Sequence, residues 1–192
     1  MKSKINFFVQ FLKKPKSVGS IVPSSRSLSD QVVKSIDFSR DLCIFEFGPG
    51  DGIFTTKIYS KMTILSKLYI IESNLDFYLR LKAKFENCQN IEVIHDSVEN
   101  IENICVDRNI SSIDYIISGI PYLSLGGRFL KKVLKKSSKL LKGEFILFQY
   151  TRRLEPIFKR VFKNVSHTKV VRNIPPAFVY ILNNEVSKWK KL

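Results

Sequence analysis

Leu42-Cys43-Ile44-Phe45-Glu46-Phe47-Gly48-Pro49-Gly50-Asp51-Gly52-Ile53-Phe54-Thr55 passes from an apolar run, through three glycines and a proline, into a segment that resumes helical character. The apolar residues Leu42 to Phe45 suit a strand covered on both faces of a parallel sheet. Gly48, Gly50 and Gly52 can take backbone angles closed to other residues. The amides of a helix starting just beyond them offer donors and a positive dipole end to a ligand. Ordinary tight turns also collect Gly and Asp, so the strands that follow carry the decision.

Lys67 to Ile71 form a second short run ending on Glu72, some twenty residues past the loop, where an acidic side chain at a strand end can accept from both hydroxyls of a ribose. A third run, Ile91 to Ile94, ends in His95-Asp96-Ser97 and would set a carboxylate or its neighbouring amide beside a base edge. The fourth, Ile113 to Ser118, opens with Asp114 and runs into Gly119-Ile120-Pro121-Tyr122. In a doubly wound sheet the carboxyl ends of such strands line one crevice, so these segments are expected to share one site.

Glu46-Phe47-Gly48-Pro49-Gly50-Asp51-Gly52 with Glu72, Asp96 and the Asp114 strand resembles the class I S-adenosylmethionine-dependent methyltransferases, whose glycines alternate where a dinucleotide loop spaces them differently. The resemblance implies an α/β, doubly wound, Rossmann-like fold with a seven-stranded, mostly parallel sheet. It also implies S-adenosylmethionine as cofactor, held by Glu46, Gly48, Gly50, Glu72, Ser73, Asp96, Ser97 and Ser118. The hydroxyl-rich loop before Ser27 adds Ser24 and Ser25, which could touch the ligand or cap the next helix.

The chain of 192 residues is long enough for one domain and too short for two of usual size. Its 32 Lys and Arg against 17 acids give a net charge of +15, unevenly spread. Asp37 to Ile117 carries 13 acidic and 8 basic residues, whereas Arg128 to Arg172 carries fourteen basic residues against Glu144 and Glu155 alone. A polarised basic surface draws polyanions, either nucleic acid or an anionic membrane leaflet. Cys43, Cys88 and Cys105 read as reduced thiols without metal-ligand spacing, and His95 and His167 stand apart from them, so no metal is expected. Without a signal-peptide pattern or a run of about 18 apolar residues, a cytoplasmic location is expected.

Residues 1–16 are expected to form an N-terminal amphipathic helix, ahead of a methyltransferase domain over 17–192. Ile5, Phe8, Val9 and Leu12 share one helical face, Phe7 and Phe11 widen it, and five lysines flank it. That composition fits a helix lying among the headgroups of an anionic membrane, peripheral on the inner face of the cytoplasmic membrane, and equally a helix packed on its own domain. Farther along, Phe129, Leu130, Val133, Leu134, Leu140 and Leu141 predict a core-facing stripe between Gly126 and Lys142, with seven basic residues outside and no acidic partner nearby. A strand over Glu144 to Tyr150, a helix over Arg152 to Phe162 and a hairpin of Ser166 to Arg172 with Ala177 to Leu182 complete the reading.

A narrower resemblance covers Phe11 to Tyr180. Pro15-Lys16-Ser17-Val18-Gly19-Ser20-Ile21-Val22-Pro23-Ser24-Ser25-Arg26, Ser118-Gly119-Ile120-Pro121, Phe148-Gln149-Tyr150-Thr151 and Val171-Arg172-Asn173-Ile174-Pro175-Pro176-Ala177 are similar to segments of the bacterial phospholipid N-methyltransferases. Those enzymes methylate phosphatidylethanolamine and resemble the ribosomal RNA adenine dimethylases in outline. Val171 stands where that family usually has Trp. The resemblance implies a monomer acting on a phospholipid amine. Such an acceptor must first lose a proton, and the candidates to assist are the Gly119 and Ile120 carbonyls, which could bind an N–H, or the Tyr122 and Tyr150 hydroxyls. The tyrosine rings could face the methylated cation, or both could be core residues. Arg152, Arg153, Arg172 and Asn173 are candidates to hold the lipid phosphate. The alternative is methylation of adenine N6 in RNA. Adenine N6 enzymes of the related dimethylases place Asn, Asp or Ser two residues before the Pro of this turn, where the present chain has Gly119.

Overall fold

The computed structural model describes residues 26–171, 173 and 175–184. Met1 to Ser25, including Ser24 and Ser25 and the expected amphipathic helix, lies outside the described residues, as does Arg172. Seven strands form one sheet: β1 (Cys43–Phe47), β2 (Lys67–Glu72), β3 (Ile91–His95), β4 (Ile113–Ser118), β5 (Leu141–Gln149), β6 (Asn164–Val170) and β7 (Ala177–Asn183). Their order is β3-β2-β1-β4-β5-β7-β6. β1 to β5 run parallel, and β7 lies antiparallel between β5 and β6. The sheet is therefore seven-stranded and mostly parallel, as the sequence predicts.

Side-chain alternation divides the core. Phe45 and Phe47 of β1 face a layer with Ile101 and Ile104 of α4 (Ile101–Asp107), Leu130, Val133 and Leu134 of α6 (Gly127–Leu140) and Phe158 of α7 (Glu155–Phe158). Ile44 faces the other way, onto Leu28, Val32 and Val33 of α1 (Arg26–Lys34), Phe54 and Ile58 of α2 (Ile53–Tyr59) and Leu81 of α3 (Leu75–Lys84). Each such fully buried aliphatic or Phe side chain contributes about 1.5–3 kcal/mol. Because both faces are covered, β1, β2 and β4 read as continuous apolar runs.

Two sequence expectations shift. The stripe of α6 is present, but three of its lysines have acidic partners on the neighbouring turn: Lys132 meets Glu99 at 3.0 Å, while Lys136 and Lys139 reach Glu102 at 3.3 and 2.9 Å. Sequence distance hid these pairs. The helix predicted over Arg152 to Phe162 shrinks to the four residues of α7: Pro156 stands in its first turn, and past Phe158 the chain continues in tighter turns, with the Arg160 and Val161 amides bonded to Ile157 O and Phe158 O.

The order β2-β1-β4 puts the topological switch point between β1 and β4, where ligands of open α/β sheets bind. There the backbone stays paired just past the last strand residues. The Gly48 amide turns to Ile71 O at 3.0 Å, and the Gly119 amide to Phe47 O at 2.9 Å.

Candidate active site

A cavity of about 450 Å³ opens at this switch point, within the usual range for small-molecule sites. Gly48 and Gly50 form one wall, Glu72, Ser73 and Asn74 a second, Asp96, Ser97 and Val98 a third, and Gly119, Ile120 and Pro121 a fourth. Ser124, Leu125 and Phe129 continue it outward along α5 (Tyr122–Leu125) and α6. The strand ends singled out from sequence therefore do share one crevice.

The glycine loop has the geometry its composition predicts. Gly48 and Gly50 both sit at φ 61°, a left-handed backbone that disfavours side chains. Nothing lies within 4 Å of where a Cβ on Gly50 would stand, so the space beside it is open to a ligand. Beneath the loop, Glu46 is buried on the α2 face. Its Oε2 accepts from Thr55 Oγ1 at 2.6 Å, and its Oε1 has no hydrogen-bond donor among the described residues. Burial pushes this carboxyl up to about 7, against the pull of the Thr55 hydroxyl. Thr55 could have been found in the sequence as a polar residue inside the buried stripe of α2.

Glu72 closes β2 with its Oε1 accepting from the Asn74 amide at 2.8 Å. Burial raises its carboxyl, partly offset by that amide. Asn74 also caps α3 by accepting from the Phe77 amide. Asp96 Oδ1 accepts from the Ser97 amide and from Asn100 Nδ2 at 2.6 and 2.7 Å, which fixes the carboxylate at the third wall. His95 holds the second wall from behind: its Nε2 lies 3.2 Å from Ser73 O and its ring stacks on Tyr78 at 4.9 Å.

The acceptor side departs from the sequence reading. Tyr122 is fully buried in the core, and its hydroxyl lies 2.9 Å from Ser118 Oγ, itself buried. Neither lines the cavity, and burial drives the phenol well above its ordinary range, so Tyr122 braces the turn and does not face a substrate. Tyr150 packs edge-on to Phe148 at 6.0 Å, with burial raising its hydroxyl and an Asn173 hydrogen bond lowering it. Asn173 is also buried, donating from Nδ2 to Pro175 O at 2.7 Å, and so pins the hairpin in place of a phosphate. Arg152 pairs with Glu155 at 2.9 Å; together with Lys159 it holds that carboxyl at about 2. Arg153 is exposed. The structure does not bring Arg152, Arg153 or Asn173 to the cavity wall.

The Ile120 carbonyl, expected to receive the amine, already accepts from the Tyr122 amide at 2.9 Å and from Gln149 Nε2 at 3.1 Å. Its two lone pairs are committed. The Gly119 carbonyl is the member of that pair with no donor among the described residues.

What distinguishes this crevice from a dinucleotide site is the alternating glycine loop beneath an acidic strand end, and with the seven-stranded sheet it defines a class I S-adenosylmethionine-dependent methyltransferase. A precorrin-6y C5,15-methyltransferase from Geobacter metallireducens shares the fold, with a TM-score of 0.68 at 11% identity over 90% of this chain and 96% of that one. Residues 3–169 match the model of the ribosomal RNA adenine dimethylase family, and the chain belongs to that family. Two relatives within reach of sequence comparison differ in what they methylate. The chain is 26% identical to an ornithine lipid N-methyltransferase from Singulisphaera acidiphila, over 94% of this chain and 95% of the other. It is 33% identical to ribosomal RNA small subunit methyltransferase A from Mycoplasma capricolum, over 71% of this chain but only 50% of that protein. The cofactor of this class fits the residues present: an orphaned buried carboxylate oxygen under the loop, open space at Gly50 and an acidic strand end across from it.

Proposed function

We propose that this chain transfers methyl groups from S-adenosylmethionine to the amine of a membrane lipid headgroup, such as phosphatidylethanolamine or another aminolipid. The observation that carries the reading is the backbone at Gly119. A Cβ there would meet Gly48 O at 2.7 Å, so the position cannot carry the Asn, Asp or Ser side chain with which adenine N6 enzymes of this family receive the exocyclic amine. The next carbonyl, on Ile120, is already occupied. An amine on a flexible headgroup needs alignment with the methyl carbon and loss of one proton, and it requires no pair of acceptors matched to a base edge.

Three further features support a lipid acceptor. Leu75, Leu125 and Val171 are exposed by 53%, 51% and 68%, and all three follow the strand ends on the cavity side of the sheet. Arg128, Lys131 and Lys135 add a basic stripe at i, i+3 and i+7 on α6. The lipid-methylating relative also aligns over nearly the whole of both chains.

The cofactor supplies a methyl already activated on a sulfonium. In this reading Gly48 and Gly50 let it lie against the main chain. Glu72, with Glu46 buried beneath the loop, would hold its polar groups, and Asp96 with Ser97 would border it. Gly119 O would accept one N–H of the acceptor amine, whose extra proton leaves to solvent beforehand, and so hold the neutral nitrogen in place. The lysine-flanked segment over 1–16 would carry the enzyme to the inner face of the cytoplasmic membrane; salt-sensitive liposome flotation that is lost on deleting residues 1–14 is the expected result.

Incubation with labelled S-adenosylmethionine and, in parallel, aminolipid vesicles and total RNA tests the substrate. Label in methylated lipid with none in RNA is expected. Label confined to RNA overturns the proposal.

A further inference from the structure

Gln149 ends β5 after the apolar run Phe145 to Phe148, and it is 6% exposed. A polar side chain so buried is costly unless bonded, and its Nε2 donates to Ile120 O at 3.1 Å, across 29 residues of sequence. Since the partner is a carbonyl, only the amide NH2 can face it, which fixes the orientation of the group. Ile120 in turn rests on the cofactor loop: its Cγ1 lies 2.8 Å from where a Cβ on Gly48 would stand, and a Cβ on Gly119 would stand 2.7 Å from Gly48 O. This hydrogen bond from β5 joins the bond of the Gly119 amide to Phe47 O, at 2.9 Å, in holding the acceptor turn beside the glycine loop.

We propose that Gln149 is a positioning residue for methyl transfer: by occupying the Ile120 carbonyl it seats the Gly119–Pro121 turn against Gly48 and leaves Gly119 O to receive the acceptor amine. The inference rests on the placement of the acceptor at this turn and is independent of whether the amine belongs to lipid or RNA. Without the donor, the Ile120 carbonyl loses a partner and competes with Gly119 O for the amine.

Gln149→Met keeps the volume and removes the donor, and Gln149→Glu keeps the shape and makes donation depend on a proton. The first readout needs no acceptor. Hydrogen exchange of the full-length protein with S-adenosylhomocysteine bound is expected to show the Tyr122 amide exchanging about tenfold faster in Gln149→Met, with the cofactor-product dissociation constant within about twofold of wild type. The second uses whichever acceptor the wild type labels: kcat is expected to fall roughly 10- to 100-fold in Gln149→Met, with KM changed less than about threefold. For Gln149→Glu, the ratio of its activity to wild type should rise as pH falls, because only the protonated carboxyl donates to a carbonyl. Unchanged exchange at Tyr122 overturns the proposal. So does a loss of product affinity as large as the loss of kcat, or a Gln149→Glu ratio flat with pH. Wild-type label in RNA alone would defeat the lipid assignment and leave these comparisons intact.

Discussion

The two halves of the crevice are built by different means. On the cofactor side, the ends of β1, β2 and β3 present Gly48 and Gly50, Glu72 and Ser73, and Asp96 and Ser97 to the cavity, with Glu46 buried beneath the loop and Asn74, Phe77 and Val98 completing the wall. On the acceptor side, Gly119, Ile120 and Pro121 line the cavity past the end of β4, while Tyr122 and Ser118 bond each other, Asn173 bonds the main chain and Arg152 pairs with Glu155. Cofactor recognition is thus written in side chains at strand ends, and acceptor placement in how closely one turn is pressed onto another.

The sharpest way to break this contrast is to give the acceptor turn the side chain it lacks. Gly119→Asn should not produce an adenine methyltransferase. With Gly48 O 2.7 Å from the new Cβ, the turn must lift off the loop, and activity should fall at least about 100-fold, a cost of about 1–3 kcal/mol or more of overpacking. Labelled-methyl transfer to RNA by that variant would refute the steric argument. Next in size is Glu72→Ala on the cofactor side, which removes a carboxylate lining the cavity; the S-adenosylhomocysteine dissociation constant should rise roughly 10- to 100-fold in calorimetric titration.

Glu46 sharpens the comparison through pH. Its folded-state carboxyl is raised from 4.5 to about 7 by burial, so its favourable contribution to stability is complete below the unfolded value and is lost as pH rises through about 7. Glu46→Gln should therefore melt higher than wild type above pH 7, by about 1–3 kcal/mol of stability, and lower its product affinity. Wild-type affinity for S-adenosylhomocysteine should strengthen between pH 6 and 8, as the charged carboxylate meets the ligand's ammonium, whereas that of the variant should stay flat. The smallest effect belongs to Tyr122→Phe. Its hydroxyl meets Ser118 in the core, so kcat should change less than about threefold while stability falls by about 1 kcal/mol in denaturant unfolding. A large loss of kcat with normal stability would return Tyr122 to the reaction.

The same contrast explains what could be read in advance. Glu46, Gly48, Gly50, Glu72 and Asp96 are legible because strand ends followed by turn residues repeat at fixed spacing, and a parallel sheet collects such ends in one place. The sheet was legible for the same reason, through its unbroken apolar runs. The acceptor residues were not. Whether Tyr122 faces a ligand or the core depends on the path of a four-residue helix, and the Ile120 carbonyl is claimed by a glutamine 29 positions away. Three lysines of α6 misled in the same way, since Glu99 and Glu102, distant in sequence, reach Lys132, Lys136 and Lys139 and leave Arg128, Lys131 and Lys135 as the basic stripe.

The position of β7 bears on how the molecule is made. β6 pairs with β7 and with no other strand, yet it precedes β7 in the chain, and β7 in turn completes the flank of β5. During synthesis β5 keeps an open edge while β6 is being made, until β7 emerges to fill the place between them. Such delayed pairing makes a nascent chain prone to associate with its copies. The exposed stretch of β6, Ser166-His167-Thr168-Lys169, is hydrophilic on both faces of the sheet. In the finished sheet β6 is the outer strand beyond β7, so the edge left open is a hydrophilic one.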